Sequence, residues 1–380
     1  MLIWRPRSRS ISRALSMTFF YIIALPSLMF SFILRRLAQG LLVLVGVACT
    51  VFLLFNVLPG DPAALLAGQR SDLATKAAIT ADLGLDKPLP ARLAGYLNDV
   101  SPLGLHPRDS AGQARYGGVA LLPLGSQALV LKTPYLRRSF QSNKDVLSIL
   151  LDYFPGTMWL ALAAMVIAST GGVAFGVAAA LRPQSVLDRT LVTTSVLGIS
   201  VPSFVAAIVI AVTFGFYWSH WTGLSLTGQL YETDPFTGES RLVLRNLLLP
   251  AIALGIRPLA IITQLTRSSM LDVMSQDYIR TARAKGLSRR ATVLHHALRN
   301  ALNPVVTAVS GWLASLMAGA FFIEYIFNWK GLGTVTLRAV ENLDFPVVMG
   351  ATLFVAALFV VINIVVDVLY AVLDPRVKLS

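Results

Sequence analysis

Charge is what this chain has least of. Only 13% of its 380 residues are Asp, Glu, Lys or Arg, while 55% are hydrophobic. Soluble domains carry about 25% charged residues, so the composition excludes a globule surrounded by water. Cysteine is nearly absent: the single Cys49 excludes an intrachain disulfide and a cysteine-based metal site. No G-x-x-x-x-G-K-[ST] stretch occurs, which excludes nucleotide binding through a phosphate loop, and the glycines in NWKGLGTV do not open one. His295 and His296 are adjacent and point to different helix faces, while His106 and His220 stand alone. Neither a metal site nor a cofactor is expected.

Acidic residues are also few, 19 against 32 basic ones, for a net charge of +13. An ion-coupled secondary transporter needs ionisable side chains within its spans. Asp367, beside Asn363 and Tyr370, is the main candidate, and its expected role is a helix-packing hydrogen bond. Glu324 is expected as a boundary carboxylate at the outer mouth of a span. With no internal energy source in view, the chain is expected not to be an enzyme and to draw its energy from a partner. In a soluble protein +13 would suggest nucleic acid. Here the cations gather between apolar runs, which points to membrane lipid instead.

Six apolar runs are long enough to cross about 30 Å of hydrocarbon: near 37–58, 155–181, 191–218, 247–266, 301–323 and 346–370. Arg35 and Arg36, Arg182 and Arg189, Arg267 through Arg299, and Arg376 and Lys378 fall on one side. Arg241, Arg245, Lys330 and Arg338 fall on the other. The excess of Lys and Arg marks the cytoplasmic side. An all-α integral membrane protein with six transmembrane helices and both termini cytoplasmic is therefore expected.

Residues 1–28 fit this scheme poorly. Arg5, Arg7, Arg9 and Arg13 precede an apolar stretch, yet no small-residue cleavage site follows. Met29 is the expected biological start; the alternative is a helix lying along the inner leaflet. The first span then belongs to 29–58, a long periplasmic segment to 59–150, the remaining spans to 151–372 and a cytoplasmic tail to 373–380. The 59–150 segment is expected to pack as a small cap with helix near 71–98, and 101–135 has no usable periodicity. Prolines 202, 250 and 304 are expected to break helices that line a cavity.

Overlapping the 268–300 loop, the stretch SQDYIRTARAKGLSRRATVLHHALRNALNP (275–304) carries Arg280, Arg283, Lys285, Arg289, Arg290 and Arg299. At the bilayer centre a charge costs roughly 2.5–3.5 kcal/mol on insertion scales, so this segment lies outside lipid. From Gln276 a helix would gather Tyr278, Ile279 and Ala282 into an apolar knob bordered by Arg280, Arg283 and Lys285. Gly286 would end it. Such a knob suits a groove on a soluble protein or anionic headgroups, and spacing alone does not choose.

YIRTARAKGL (278–287) and HALRNALNP (296–304) resemble the cytoplasmic signature of the oligopeptide/dipeptide/nickel permease family, the membrane subunits of binding-protein-dependent ABC importers. The likeness extends to FILRRLAQGLLVLVGVACTVFLLFNVLPGDPA (32–63), LGLDKPLPARL (83–93), VPSF (201–204), FIEYIFNWKGLGTVTLRAVENLDFPVVMG (322–350) and NIVVDVLYAVLDPRVKL (363–379). Arg280-Thr281-Ala282 stands where the general importer signature has Glu-Ala-Ala, a variant peptide-type permeases share. Lys330 replaces a frequent Pro, and neither 101–135 nor 1–28 has a counterpart.

The resemblance implies an ABC type I importer permease fold in the bacterial inner membrane. It implies two ATP-binding subunits, a second homologous permease subunit and a periplasmic substrate-binding protein as partners. Peptides are the cargo most strongly implied, with nickel chelates, glycosides and other solutes open. It also implies that Tyr278, Ile279, Arg280, Thr281, Ala282, Arg283, Ala284, Lys285, Gly286 and Leu287 couple the chain to the ATPase.

Overall fold

The computed structural model describes residues 32–55, 87–107, 117–234 and 236–373. The amino-terminal 28 residues with the Met29 question, the 71–86 part of the expected cap helix and the tail from 374 lie outside them.

Eleven helices frame the described part. They are α1 (Phe32–Phe55), α2 (Leu89–Val100), α3 (Val146–Leu181), α4 (Val186–Ser200), α5 (Ser203–Val212), α6 (Arg245–Met274), α7 (Asp277–Ala284), α8 (Asn303–Gly319), α9 (Phe321–Ile326), α10 (Leu332–Glu341) and α11 (Phe345–Leu373). Four of these, α1, α3, α6 and α11, are long and apolar enough to cross a membrane. The chain is a multi-pass membrane protein.

The other two expected crossings take different forms. The run at 191–218 is not one helix: α4 and α5 meet at 108° across Val201 and Pro202. Proline offers no N–H to the preceding turn and restrains the residue before it to extended backbone, and Val201 is extended (ψ 129°). The run at 301–323 yields α8, which has 17 residues and stops at Ala320 before α9 begins. Of the three prolines expected to break helices, only Pro202 does so. Pro250 sits inside α6, and Pro304 occupies the first turn of α8, where a missing N–H is harmless.

The chain is also not all helix. β1 (Leu103–Pro107), β2 (Val119–Leu124) and β3 (Gln127–Leu131) form an antiparallel sheet in the order β1-β3-β2, with a bulge between Ala120 and Leu122. A second ribbon pairs β4 (Tyr231–Thr233) with β5 (Ser240–Leu242). Alternation along QALVL turns Ala128 and Val130 inward, where both are buried.

Helix α3 packs along α6 through small residues. A Cβ on Gly172 would meet Ile262 Cγ2 at 2.7 Å, and one on Gly176 would meet Thr266 Cβ at 2.5 Å and Thr263 O at 2.7 Å. Glycines four apart let two backbones approach on one helix face. A second core joins α1, α2, α10 and α11, with Phe52, Tyr96, Leu332 and Val347 buried at its centre. Helices α1 and α11 run antiparallel along each other: Arg36 pairs with Asp367 at 3.0 Å near one end, and the rings of Phe55 and Phe345 lie 5.4 Å apart at the other. Asp367 thus packs helix on helix as expected, but through an ion pair with Arg36.

Candidate functional site

Helix α7 follows α6 after a two-residue turn. Gln276 is extended (ψ 150°) and precedes the first turn, where Asp277 favours the positive end of the helix dipole. Its 3.6 Å pair with Arg280 is fully in solvent and adds little. The helix ends at Lys285. Gly286 has φ +80°, its N–H donates to Arg283 O at 3.0 Å, and the N–H of Leu287 donates to Ala282 O at 3.3 Å. These two bonds close a Schellman end, for which a residue with φ > 0 is needed.

One face of α7 is committed to the chain itself. Ile279 is 0% exposed and packs with Ala180, Met270, Val293, Ala297 and Ala301, and Ala282 is buried as well. The knob read from spacing is therefore split: Tyr278 is 41% exposed, whereas Ile279 and Ala282 anchor the helix inward. Arg280, Thr281, Arg283, Ala284, Lys285 and Gly286 are exposed as well, and Leu287 is half-buried. The Tyr278 hydroxyl accepts from Asn300 Nδ2 at 2.8 Å, and Thr281 Oγ1 donates to Asp277 O at 3.0 Å. Arg283 Nη2 rests 4.0 Å from Met274 Sδ.

The segment after Gly286 completes the seat. Ser288 caps a short helix by accepting from the Ala291 N–H at 3.3 Å. A π-helical turn, Thr292–Ala297, then turns Val293 and Ala297 toward Ile279. Arg289 Nη2 donates to Leu181 O at 3.0 Å, satisfying a terminal carbonyl of α3. The seat is thus built from the ends of α3 and α6 and the start of the chain into α8.

Nearby, Asp188 fixes α4 to α6. It is 2% exposed and accepts from Arg267 Nε at 2.5 Å, Arg267 Nη2 at 2.8 Å and the Gln184 N–H at 2.8 Å. Sequence reading missed this pair because 79 residues separate its members. An isolated Asp at a helix start reads as a dipole partner.

At the opposite end of the bundle, Glu324 corrects another expectation. It is no boundary carboxylate: it is 0% exposed. It accepts from Thr157 Oγ1 at 2.7 Å, the Gly333 N–H at 2.6 Å and the Thr334 N–H at 3.2 Å. Burial pushes its pKa up to about 7, against those three donors, which lower it. The Trp329 indole donates to Gly156 O at 2.9 Å. This knot pins the turn between α9 and α10 onto α3.

The family model described as "Binding-protein-dependent transport system inner membrane component" matches residues 172–379, and its companion for the N-terminal part of the membrane component matches 29–111. The "Di/tripeptide transport system permease protein DppB" of Pseudomonas aeruginosa (strain UCBPP-PA14) is 37% identical over 365 residues, covering 92% of this chain and 99% of that protein. The "Dipeptide transport system permease protein DppB" of Escherichia coli (strain K12) is 33% identical over 370 residues, with the same coverage, 92% and 99%. A putative peptide permease protein of Brucella suis biovar 1 (strain 1330) is 36% identical over 355 residues, covering 93% and 100%. By these matches along nearly its whole length, the chain belongs to the family of binding-protein-dependent transport system inner membrane components.

Proposed function

We propose that this chain is a permease subunit of an ABC importer that moves peptides across the bacterial inner membrane, with ATP hydrolysis carried by separate partner subunits. The observation that carries the reading is α7, a helix with one face locked into the bundle and a cationic face open to a partner. The named peptide permeases, 33% and 37% identical over nearly their full length, support peptides as cargo.

In this reading α1, α3, the bent pair α4–α5, α6, α8 and α11 make six crossings with both ends cytoplasmic. The segment 59–150 faces the periplasm and 268–300 faces the cytoplasm. A second homologous permease completes the pathway, two ATP-binding subunits grip Tyr278, Arg280, Thr281, Arg283, Ala284 and Lys285, and a periplasmic binding protein delivers cargo. Closure of the ATPase pair would push α7. Its seat on α3 and α6 would carry that push into the spans as a shift between two states.

The test is a disulfide crosslink. Thr281→Cys on a Cys49→Ala background, co-expressed with the ATP-binding subunits, should crosslink to a cysteine scanned along their surface. Uptake of a radiolabelled dipeptide should then be blocked on oxidation and restored on reduction. Labelling of that cysteine only by membrane-embedded reagents would reject the coupling role.

A further inference from the structure

At the end of the bundle away from α7, a cavity of about 450 Å³ opens between the first turns of α3 and one face of α10. Ser148, Asp152 and Tyr153 of α3 wall one side, and Val335, Arg338 and Ala339 of α10 the other, at the three- and four-residue spacings of a helix face. At ~1.5 Å per residue, roughly 40 Å of α3 separate Asp152 from Leu181, so the cavity is remote from the coupling seat. Its size falls in the range of small-ligand sites, about 300–1,000 Å³.

The walls are fastened. The loop at 139–144 supplies a third side and is tied down by a buried carboxylate: Asp344, 4% exposed, accepts from Ser139 Oγ at 2.5 Å and from the Phe140 N–H at 3.0 Å. Gln141 Nε2 donates to Asn342 O at 2.9 Å. Two non-glycine residues here have left-handed backbone, Asn143 (φ 54°) and Leu343 (φ 56°). Each stands between two residues of the cavity wall, Ser142 and Lys144 in one case, Asn342 and Asp344 in the other. Leucine rarely adopts that conformation. Such positions persist where the surroundings hold them, and they gather at ligand clamps.

The charge left unspent in this wall is positive. Asp152 is its exposed carboxylate, and Lys330 holds it at 2.9 Å. Both oxygens of the other carboxylate, Asp344, are taken by the loop. Lys144 and Arg338 line the same cavity, are exposed, and form no ion pair among the described residues. Arg338 spends one nitrogen on Asn328 Oδ1, at 2.6 Å, and keeps the rest of its fork. A guanidinium and an ammonium in one cavity suit a carboxylate. Gln141 and Ser142 add an amide and a hydroxyl, groups that pair with peptide N–H and C=O. Ile149, Val335, Ala339 and Val347 supply an apolar part, with Ala339 and Val347 buried.

We propose that this cavity binds the free C-terminal carboxylate of a short peptide. Arg338 and Lys144 take the carboxylate, Gln141 and Ser142 the last amide, and the apolar part the terminal side chain. It is a peptide site belonging to the permease itself, and it selects for an unblocked carboxyl end. The inference rests on the reading of peptides as cargo, and its failure is separable from that reading because occupancy of the cavity and uptake are measured apart.

Alanyl-photoleucine, a dipeptide whose last side chain carries a diazirine, tests it on the full chain with its partner subunits in nanodiscs, without binding protein or ATP. After illumination, mass spectrometry should place the label within 141–153 or 335–347. Excess Ala-Leu should remove that label, whereas the C-terminal amide of Ala-Leu at the same concentration should not. Arg338→Gln should weaken labelling on the order of tenfold, as expected for a lost hydrogen bond to a charged group, and Arg338→Lys should restore part of it. Label absent from these segments would overturn the proposal, and so would an amide that competes as well as the free acid. Full labelling when Arg338→Gln is combined with Lys144→Gln would overturn it too. Uptake of radiolabelled Ala-Leu by the complex with its binding protein is followed in parallel. Uptake without labelling rejects this site alone, and absence of uptake rejects the cargo reading, while the label decides the site in either case.

Discussion

Asp188 and Arg267 offer the sharpest test of how the basic end of the bundle holds together. The carboxylate is 2% exposed and takes three donors, two of them from one guanidinium. Arg267→Met removes both charge-assisted bonds and leaves Asp188 buried with only the Gln184 N–H. Breaking a buried pair from one side costs about 3–5 kcal/mol, because the remaining charge has no compensation. Asp188→Asn is milder, about 1.5–3 kcal/mol: the amide oxygen still accepts from Gln184, and the Arg267 side chain, 28% exposed, still reaches solvent. Asp188→Leu with Arg267→Met removes both charges and should destabilise less than Arg267→Met alone. Backbone hydrogen exchange across Val186–Ser200 reads the effect directly. A loss of 3 kcal/mol corresponds to roughly 150-fold faster exchange if this helix opens locally. The order should be Arg267→Met fastest, then the single Asn variant, with the double variant nearer to wild type. Less than threefold change in Arg267→Met, or a double variant as labile as that single one, would refute the argument.

Gly286→Val should lower ATP-driven uptake several-fold at unchanged membrane abundance, since φ +80° costs a β-branched residue about 1–2 kcal/mol; Gly286→Asn should be milder. Glu324 should make the turn between α9 and α10 pH-dependent. Its folded pKa, about 7, lies above the ordinary carboxylate value, so its stabilisation is complete below about 4.3 and is lost as pH rises through 7. Unfolding midpoints at pH 5.5 and 8.5 should therefore differ in the wild type and converge in Glu324→Gln. Gly176→Val should separate α3 from α6 and cut the yield of folded protein in size-exclusion chromatography, because the added atoms meet Thr266 and the Thr263 carbonyl. Asp367→Asn should leave uptake near wild type at every pH from 6 to 8, since its pair with Arg36 is partly exposed and such pairs contribute at most about 1 kcal/mol. A loss confined to one part of that range would instead indicate proton coupling.

Much of this architecture was legible because lipid imposes a simple rule: apolar runs of sufficient length become helices. Helices α1, α3, α6 and α11 follow from that rule alone. The bend at Pro202 was visible as a proline, but its 108° angle was not, because Pro250 has the same local chemistry inside a helix that continues through it. Gly286 was readable because a turn after a short helix needs a left-handed residue. The direction of Ile279 and Ala282 was not, since an apolar pair fits a partner's groove and the chain's own core equally well. Glu324 and Asp188 escaped for a related reason. Their cross-helix donors, Thr157 and Arg267, come from 167 and 79 residues away, and no local pattern records such distances. The β1–β3 sheet was hidden by a bulge and a proline that break the two-residue alternation.

The seat of α7 divides its residues between two sides. Ile279 and Ala282 answer to the bundle, while Tyr278, Arg280 and Lys285 answer to whatever lies beyond it. Under the proposed function, substitutions on the solvent side would change partner recognition while leaving the inward packing of Ile279 in place. Because Ile279 touches the ends of α3 and α6 and the π-helical turn at once, a push on this helix in the proposed mechanism would reach several elements together rather than one hinge.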